Sequence, residues 1–480
     1  MKKILVAVVV MFIFITYEFA LSQTVNWQRV YGPWSLNSDC FGEDICESNN
    51  NTYFLIGNNN SPGGMYLRKI NNLGQVLDTT FLLNYGGFTG VSTSDGGCVI
   101  MGLKLNSDDD IYAVKINSNC NVDWLKVYPN TPSARTNKII RTSDNKFIAC
   151  GSISYLSAFV IKLDSLGNKI WIRTYNAPFS RDLYDVTESS SGEYILTGLY
   201  NSSGAESFGR ITKIDTSGNI KWDNNLINDG KGIDVNSINN LGSKYLIGSD
   251  IYDSSLKKYL PGFIEINENG DILKTQKYPA IPNYYQFVRD SKVINENKYL
   301  FLISYEKWTL PDTTKARLVT TDSSGNILND VFYSSNSDYT NCFKLFFKNS
   351  SNFFVIGRSN HINSYYENMY LIKTDTTLIA PVVGIFNQSI DIPIDINIIK
   401  VYPNPFNTIA NIVIKIKTTE IYKVSIFDIL GKEVAVVYNG LLLKGDNKLY
   451  FNMGKFSSGI YFINANSINT NLFKKVVLLK

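Results

Sequence analysis

The chain has 480 residues, of which 44% are hydrophobic, so it is long enough for more than one domain and apolar enough to form a large core. Its formal net charge is only +4, which excludes the dense cationic surface typical of nucleic-acid-binding proteins. After residue 400 the basic residues are all lysine and outnumber the acidic ones, which indicates a second domain.

The N-terminus predicts a secretory signal. Two lysines precede an apolar run from Ile4 to Ile15, and small residues follow at Ala20 and Ser22. A membrane-spanning helix needs roughly 20 apolar residues, so this run is too short for an anchor. We predict a signal peptide over residues 1–22 and a protein that leaves the cytoplasm.

A short motif recurs seven times in the middle of the chain, for example as IKLDSLGNKIW and ITKIDTSGNIKW. Its Asp or Asn positions are Asn71, Asn117, Asp164, Asp215, Asn267, Asp322 and Asp375, at intervals of 46, 47, 51, 52, 55 and 53. An apolar segment that usually closes on Gly, such as YILTG, runs in step with it. Each unit therefore holds about four short strands, the pattern of a propeller blade. We predict an all-β protein with a seven-bladed β-propeller over residues 23–378.

The D-x-x-G core of the motif is interpreted as a tight turn. Asp or Asn caps backbone N–H groups at the first position, and Gly adopts the left-handed conformation at the fourth. A calcium loop needs several converging oxygen ligands, whereas these turns supply one carboxylate or none, so no metal is expected. Cys120 takes the place of the Gly in the second unit and is predicted to be strained.

The repeats resemble the blades of quinoprotein-like propellers with delta-60-type repeats. In that group a Trp follows the turn glycine by four residues, as Trp171 follows Gly167 and Trp222 follows Gly218 here. The resemblance implies blade architecture, and no cofactor is inferred from it.

The count of strands predicts how the ring closes. Seven units have a third strand, but only six are followed by a fourth, and the segment VNWQRVYG near the N-terminus repeats the Trp-to-Tyr spacing of WLKVY. A ring left open would expose unpaired strand edges. We therefore predict that Val25–Val30 pairs antiparallel with Met369–Thr374, with Trp27 packed between neighbouring blades.

Residues 379–397 are predicted to be a linker, and residues 398–480 a small antiparallel, Ig-like β-sandwich. This last segment resembles the type A C-terminal sorting domain of the type IX secretion system. The matching residues are Tyr402, Pro403, Asn404, Pro405, Asp428, Gly431, Lys432, Gly459, Tyr461, Lys474 and Lys475. The resemblance implies recognition by the secretion machinery at the outer membrane and a secreted or surface-attached product.

No motif for a catalytic, cofactor or metal site stands out. The one histidine, His361, is interpreted as a solvated loop residue, and Asp108–Asp110 as a solvated acidic loop with a weak cation site as the alternative. Of the six cysteines, only Cys40 and Cys46 are close enough to suggest a local disulfide. Buried free thiols are the favoured interpretation for cysteines inside apolar runs.

A binding site is expected on the face of the propeller that bears the loops between blades and the loops between second and third strands. Aromatic residues that could stack on a ligand there are Tyr284, Tyr285, Trp308, Tyr365 and Tyr366. Our first hypothesis is a monomeric, non-enzymatic propeller that binds a glycan, a peptide or a surface protein. The alternatives are a hydrolase or lyase that uses carboxylates, and a structural component of the cell surface.

Overall fold

The computed structural model describes residues 26–480 except 33–38, 61–62, 106–109, 130, 132, 155–156, 176–181, 202–206, 280, 282–283, 308–312, 334–339, 350–351, 361–366, 381–397, 417–419, 430–431, 444 and 468–470. Throughout these residues the regular structure is strand, with no helix, and hence no helix that could cross a membrane. The predicted signal peptide and residues 381–397 of the predicted linker lie outside the described residues. Ala380, the second residue of that linker, is buried, and its carbonyl accepts a hydrogen bond from the side chain of Gln28. The chain divides into two compact units, Met1–Ser389 and Ile390–Lys480.

The first unit contains thirty strands among the described residues. In chain order they are β1 (Trp27–Tyr31), β2 (Cys40–Glu47), β3 (Thr52–Asn60), β4 (Gly63–Asn71), β5 (Val76–Leu83), β6 (Tyr85–Ser92), β7 (Cys98–Lys104), β8 (Ile111–Ile116), β9 (Val122–Tyr128), β10 (Ala134–Arg141), β11 (Phe147–Ile153), β12 (Ser157–Leu163), β13 (Lys169–Tyr175), β14 (Asp182–Glu188), β15 (Tyr194–Asn201), β16 (Ser207–Ile214), β17 (Ile220–Asn225), β18 (Ile227–Asn228), β19 (Lys231–Gly232), β20 (Asp234–Asn240), β21 (Lys244–Asp253), β22 (Lys258–Asn267), β23 (Ile272–Lys277), β24 (Tyr285–Asn295), β25 (Lys298–Lys307), β26 (Thr313–Asp322), β27 (Ile327–Tyr333), β28 (Thr340–Asn349), β29 (Asn352–Asn360) and β30 (Glu367–Thr374).

These strands form seven four-stranded antiparallel sheets within the described part of the unit, plus the small β18–β19 hairpin. Sheet 1 is β2–β5, sheet 2 is β6–β9, sheet 3 is β10–β13, sheet 4 is β14–β17, sheet 5 is β20–β23, sheet 6 is β24–β27, and sheet 7 joins β28, β29 and β30 to β1. The first strand of each sheet contacts the first strand of the next, and β28 of sheet 7 contacts β2 of sheet 1. The second and third strands are almost wholly buried, so each sheet packs its faces against its neighbours.

The N-terminal strand has the predicted antiparallel partner. Trp27 pairs with Lys373 and Tyr31 with Met369, which makes β1 the fourth strand of sheet 7. Trp27 is only 1% exposed, and its ring meets that of Phe354 edge-on at 6.3 Å. The first and last strands of this unit therefore complete one sheet together.

The repeated turn has the predicted geometry. In sheet 3 the Asp164 carboxylate accepts hydrogen bonds from the N–H groups of Leu166 and Asn168, and Gly167 has φ of +76°. Cys120 adopts φ of 62° at the corresponding position of sheet 2, so the predicted strain is confirmed, because a side chain there approaches the following carbonyl.

The fourth strand of one sheet is hydrogen-bonded to the turn of the next sheet. The indole of Trp171 in sheet 3 donates to the carbonyl of Thr216 at 3.1 Å, and the hydroxyl of Tyr175 donates to the carbonyl of Gly218 at 2.8 Å. Both acceptors belong to the turn of sheet 4. The Trp–x–x–x–Tyr spacing of the repeats is therefore a contact between sheets.

The structure excludes the local disulfide that the spacing of Cys40 and Cys46 suggested. All six cysteines are free and buried. Both residues lie on β2, six positions apart along an extended strand, which is about 20 Å at roughly 3.3 Å per residue. A disulfide requires Cα atoms within about 7 Å of each other, so the two thiols cannot meet.

The second unit contains seven strands among its described residues: β31 (Ile398–Tyr402), β32 (Ile409–Ile416), β33 (Glu420–Phe427), β34 (Glu433–Leu442), β35 (Gly445–Asn452), β36 (Gly459–Asn466) and β37 (Asn471–Leu478). They form a three-stranded sheet, β31–β32–β35, and a four-stranded sheet, β34–β33–β36–β37. Buried side chains of both sheets, including Ile412, Ile414, Val424 and Ile463, share one core. This is the small antiparallel sandwich that alternation in the sequence predicted.

Candidate ligand-binding site at the starts of the first strands

Every sheet of the first unit has a β-bulge at the same place in its first strand. One residue there has no partner in the register with the second strand. The seven bulge residues are Glu43, Phe88, Asn137, Tyr184, Asn236, Arg289 and Phe343. A bulge interrupts the alternation of side chains between the two faces of a strand and so changes the direction of one side chain. Bulges are frequent beside functional sites.

The glycine that closes the second strand is explained by the bulge. In sheet 2, Gly102 pairs with Gly87, directly before the bulge residue, and a Cβ on Gly102 would lie 1.7 Å from the carbonyl oxygen of Gly86. In sheet 3, a Cβ on Gly151 would lie 1.9 Å from the carbonyl oxygen of Arg135. In these two sheets the bulged strand therefore lies so close to its partner that only glycine leaves room.

All seven bulge residues line one cavity of about 620 Å³ near the starts of the first strands. Its thirteen lining residues are Phe41, Glu43, Phe88, Arg135, Thr136, Asn137, Asp182, Tyr184, Asn236, Arg289, Phe343, Lys344 and Arg358. Every sheet contributes at least one of them. A volume of this size is usual for a ligand site.

The cavity is cationic. Three guanidinium groups and one ammonium group line it, against the two carboxyl groups of Glu43 and Asp182. The guanidinium of Arg358 lies 5.5 Å from the ring centre of Phe41 and 5.1 Å from that of Phe343. These cation–π contacts hold the guanidinium group of Arg358 at the cavity.

The acidic groups of the cavity are held partly neutral. Burial raises the pKa of Glu43 to about 7, although Arg135 opposes the shift and Asn58 donates a hydrogen bond at 3.2 Å. Burial also raises the pKa of Asp182, which accepts a 2.7 Å hydrogen bond from Asn137 of the preceding sheet. Both carboxyls therefore carry less negative charge near neutral pH than exposed ones would.

Behind the bulges, the next residue of several first strands ties neighbouring sheets together. Asp44 accepts from the N–H of Gly90 at 3.0 Å, and Asp290 accepts from the N–H of Leu345 at 2.9 Å. Thr89 accepts in the same way from the next sheet. These carboxylates are structural, since they satisfy backbone donors across sheet boundaries.

The structure places only part of the predicted aromatic set. Tyr284 directly precedes β24 and Tyr285 is its first residue, so both lie at the end of the strand that is nearer the cavity. Neither residue lines the cavity, and Tyr285 is 59% exposed. The ring centres of Tyr284 and Tyr305 are 5.0 Å apart. Trp308, Tyr365, Tyr366 and His361 lie outside the described residues.

The acidic run Asp108–Asp110, which follows the second strand of sheet 2, is only partly described. Asp108 and Asp109 lie outside the described residues. Asp110 is 8% exposed and accepts a 2.8 Å hydrogen bond from the N–H of Thr131. Among the residues that the structure describes, no cluster of three or more His, Cys, Asp or Glu side chains could hold a metal ion.

Sequence reasoning missed all thirteen lining residues. The available signal was the lone glycine within most of the apolar second strands, because such a glycine often faces a bulge on the neighbouring strand. Its partner positions identify the bulge residues, and hence the side chains that face the cavity.

The second unit brings two of its predicted motifs together. The side-chain amide of Asn404 donates to the carbonyl of Lys475 at 3.2 Å and accepts from the N–H of Val477 at 2.9 Å. The Tyr-Pro-Asn-Pro motif is thereby joined to the last strand.

The other motif residues are distributed over the second unit. Asp428 accepts from the N–H of Lys432 at 3.0 Å in the predicted hairpin turn, and Gly431 lies outside the described residues. Gly459 and Tyr461 stand on β36. The described motif residues that are exposed are Tyr402, Pro403, Asn404, Pro405, Lys432, Lys474 and Lys475.

Residues 400–479 match the family described as the secretion system C-terminal sorting domain. This domain belongs to the type IX secretion pathway, and the protein is accordingly directed to the cell surface or the extracellular space. No curated protein sequence matches the chain.

Three solved structures illustrate the folds to which the chain is similar. PorZ, an essential bacterial surface component of the type-IX secretion system of Porphyromonas gingivalis, is 11% identical with a TM-score of 0.42; the match covers 94% of this chain and 60% of PorZ. The polysaccharide lyase Uly1 is 9% identical with a TM-score of 0.46, covering 74% of this chain and 97% of the lyase. The β-propeller domain of the Trilobed protease from Pyrococcus furiosus is 8% identical with a TM-score of 0.45, covering 74% and 99%.

Proposed function

We propose that the protein is an exported, non-enzymatic binding protein whose seven sheets are the blades of a closed β-propeller. The cyclic contacts of the first strands and the pairing of β1 with β30 support closure. In this proposal residues 1–22 are the signal peptide, residues 23–378 the propeller, residues 379–397 the linker and residues 398–480 the sorting domain. The protein acts as a monomer after delivery by the type IX machinery.

The observation that carries the binding role is the ring of seven bulge residues around one cavity. Each sheet contributes a side chain whose backbone is not used in strand pairing, so the fold positions the whole set at the cavity. The lining combines charged groups, amides and aromatic rings, as ligand sites do. We therefore place binding at this cavity rather than on the outer strands.

The test is a ligand screen on glycan and peptide arrays with the purified full chain. Asn236→Trp fills the cavity from sheet 5 and is expected to abolish the signal. Lys169→Trp puts the same ring on an exposed outer strand and is expected to leave it intact. A ligand that binds both variants equally well would refute binding at this cavity.

A second candidate, a hydrolase or lyase, is favoured by one observation. Glu43, with its pKa raised to about 7, is suited to act as a general acid, and Asp182 also lines the cavity. The two carboxyls belong to sheets 1 and 4, with two sheets between them. Release of new reducing ends from a bound polysaccharide, lost in Glu43→Gln, would establish the enzyme and refute the binding role alone.

A further inference from the structure

The side chains of two cations of the cavity form no hydrogen bond or salt bridge with any described residue. Their charges act only at longer range, that of Arg135 on the carboxyl groups of Glu43 and Asp182 and that of Lys344 on Asp290. Arg135 is exposed, and its guanidinium lies 5.7 Å from the ring centre of Phe88. Lys344, on the first strand of sheet 7, is half-buried and also lines the cavity. By contrast, Arg289 is bound by Glu306 at 2.9 Å and Arg358 by Glu367 at 2.8 Å. Charge-assisted donors are thus available at the cavity for an outside acceptor.

The remaining lining indicates what else the ligand carries. Of the thirteen described lining residues, nine are polar or charged, four are aromatic and none is aliphatic. An acyl chain or an apolar peptide side chain would find no aliphatic partner here. The amide nitrogens of Asn137 and Asn236 donate within the protein, and their amide oxygens are suited to accept from hydroxyl groups. Half-buried rings such as Tyr184 suit the faces of sugar rings.

We propose that this cavity binds an anionic saccharide, with Arg135 and Lys344 contacting its carboxylate or sulfate groups. The inference rests on the proposed binding function and specifies the ligand class of the same cavity. Arg289 and Arg358 add positive potential while remaining bound to their own carboxylates. The amides and the aromatic rings contact the uncharged part of the saccharide.

The test is calorimetric titration of the full chain with four probes: a uronic-acid trisaccharide, a sulfated trisaccharide, an uncharged trisaccharide and a tri-glutamate peptide. We expect at least one charged saccharide to bind. The affinity for the uncharged saccharide should be lower by a factor of about ten or more. Arg135→Gln and Lys344→Gln should each lower the affinity for the charged saccharide by about tenfold, since each removes one charge-assisted contact. Arg141→Gln, an exposed arginine at the other end of β10, should leave affinity unchanged.

The outcomes separate the ligand class from the binding role. Equal affinity for the uncharged trisaccharide, stronger binding of tri-glutamate, or full affinity in Arg135→Gln would each overturn the saccharide assignment. So would failure of all four probes, whereas a different ligand from the array screen that is lost in Asn236→Trp would still support binding at the cavity. Circular dichroism of each variant shows that a lost signal does not reflect unfolding.

Discussion

The indole N–H of Trp27 donates a hydrogen bond to the backbone carbonyl of Asn72, 3.1 Å away. Trp27 belongs to the N-terminal strand of sheet 7, and Asn72 to the turn of sheet 1. Trp171 and Trp222 make the same bond to the turns of sheets 4 and 5. The contact between the last and the first sheets is therefore of the same kind as those between sheets adjacent in sequence.

We expect Trp27→Ala to lower the free energy of unfolding by about 3–5 kcal/mol, because it removes a large buried ring and leaves a cavity between two sheets. Denaturant unfolding measures the change. Leu256→Ala, at a residue that is 55% exposed, is the control and should change stability by less than about 0.5 kcal/mol. Equal stability of Trp27→Ala and the wild type would refute a stabilising role of β1.

Gly167→Ala should destabilise the protein by more than about 1 kcal/mol. The residue has φ of +76°, and a Cβ would lie 2.5 Å from the indole of Trp124. In the equivalent turn, Cys120→Gly removes the strain of φ of 62° and should cost less than Gly167→Ala. A larger loss for Cys120→Gly in thermal unfolding would contradict this account.

Replacement of Glu43 by Gln should change the pH dependence of stability. Burial raises its pKa from 4.5 to about 7, so the folded protein holds this proton more tightly than the unfolded chain does. The stabilisation is complete below about pH 4.5 and is lost as the pH rises through 7. Relative to the wild type, Glu43→Gln should therefore be more stable at pH 8 than at pH 5. A difference that does not vary with pH would show that Glu43 does not titrate in this way.

A chain truncated after Ile379 should accumulate in the periplasm of cells with a working type IX system. It keeps the predicted N-terminal signal but lacks the segment that matches the sorting domain. Immunoblots of periplasm and medium report the distribution, with the full chain as control. Normal amounts of the truncated protein in the medium would contradict the sorting role.

The thiols of the native protein should resist modification. All six cysteines are free and buried, and burial raises the pKa of Cys342 and Cys150 above that of an exposed thiol. Titration with a thiol reagent should report no rapid reaction in buffer and six thiols in denaturant. Four thiols in denaturant would reveal a disulfide that the structure excludes.

Much of the fold followed from the period of the sequence, because each repeat carries its own turn residues and apolar strands. The partner of β1 was also predictable, since Trp27 and Tyr31 repeat a spacing found in complete units. The cavity was not predicted, because its lining comes from seven sheets and no residue type is common to all of them. Glu43, Phe88 and Arg289 occupy equivalent positions with unlike chemistry, so a search for similarity passes over them.

The bulge positions separate the backbone that holds each sheet together from the side chains that line the cavity. Because the backbone of a bulge residue is not part of the ladder, exchanging Tyr184 or Asn236 alters one side of the cavity and leaves strand pairing in place. Seven such positions can change one at a time. If the cavity binds the proposed ligand, single substitutions at these fixed sites are expected to change its specificity without insertions in the loops.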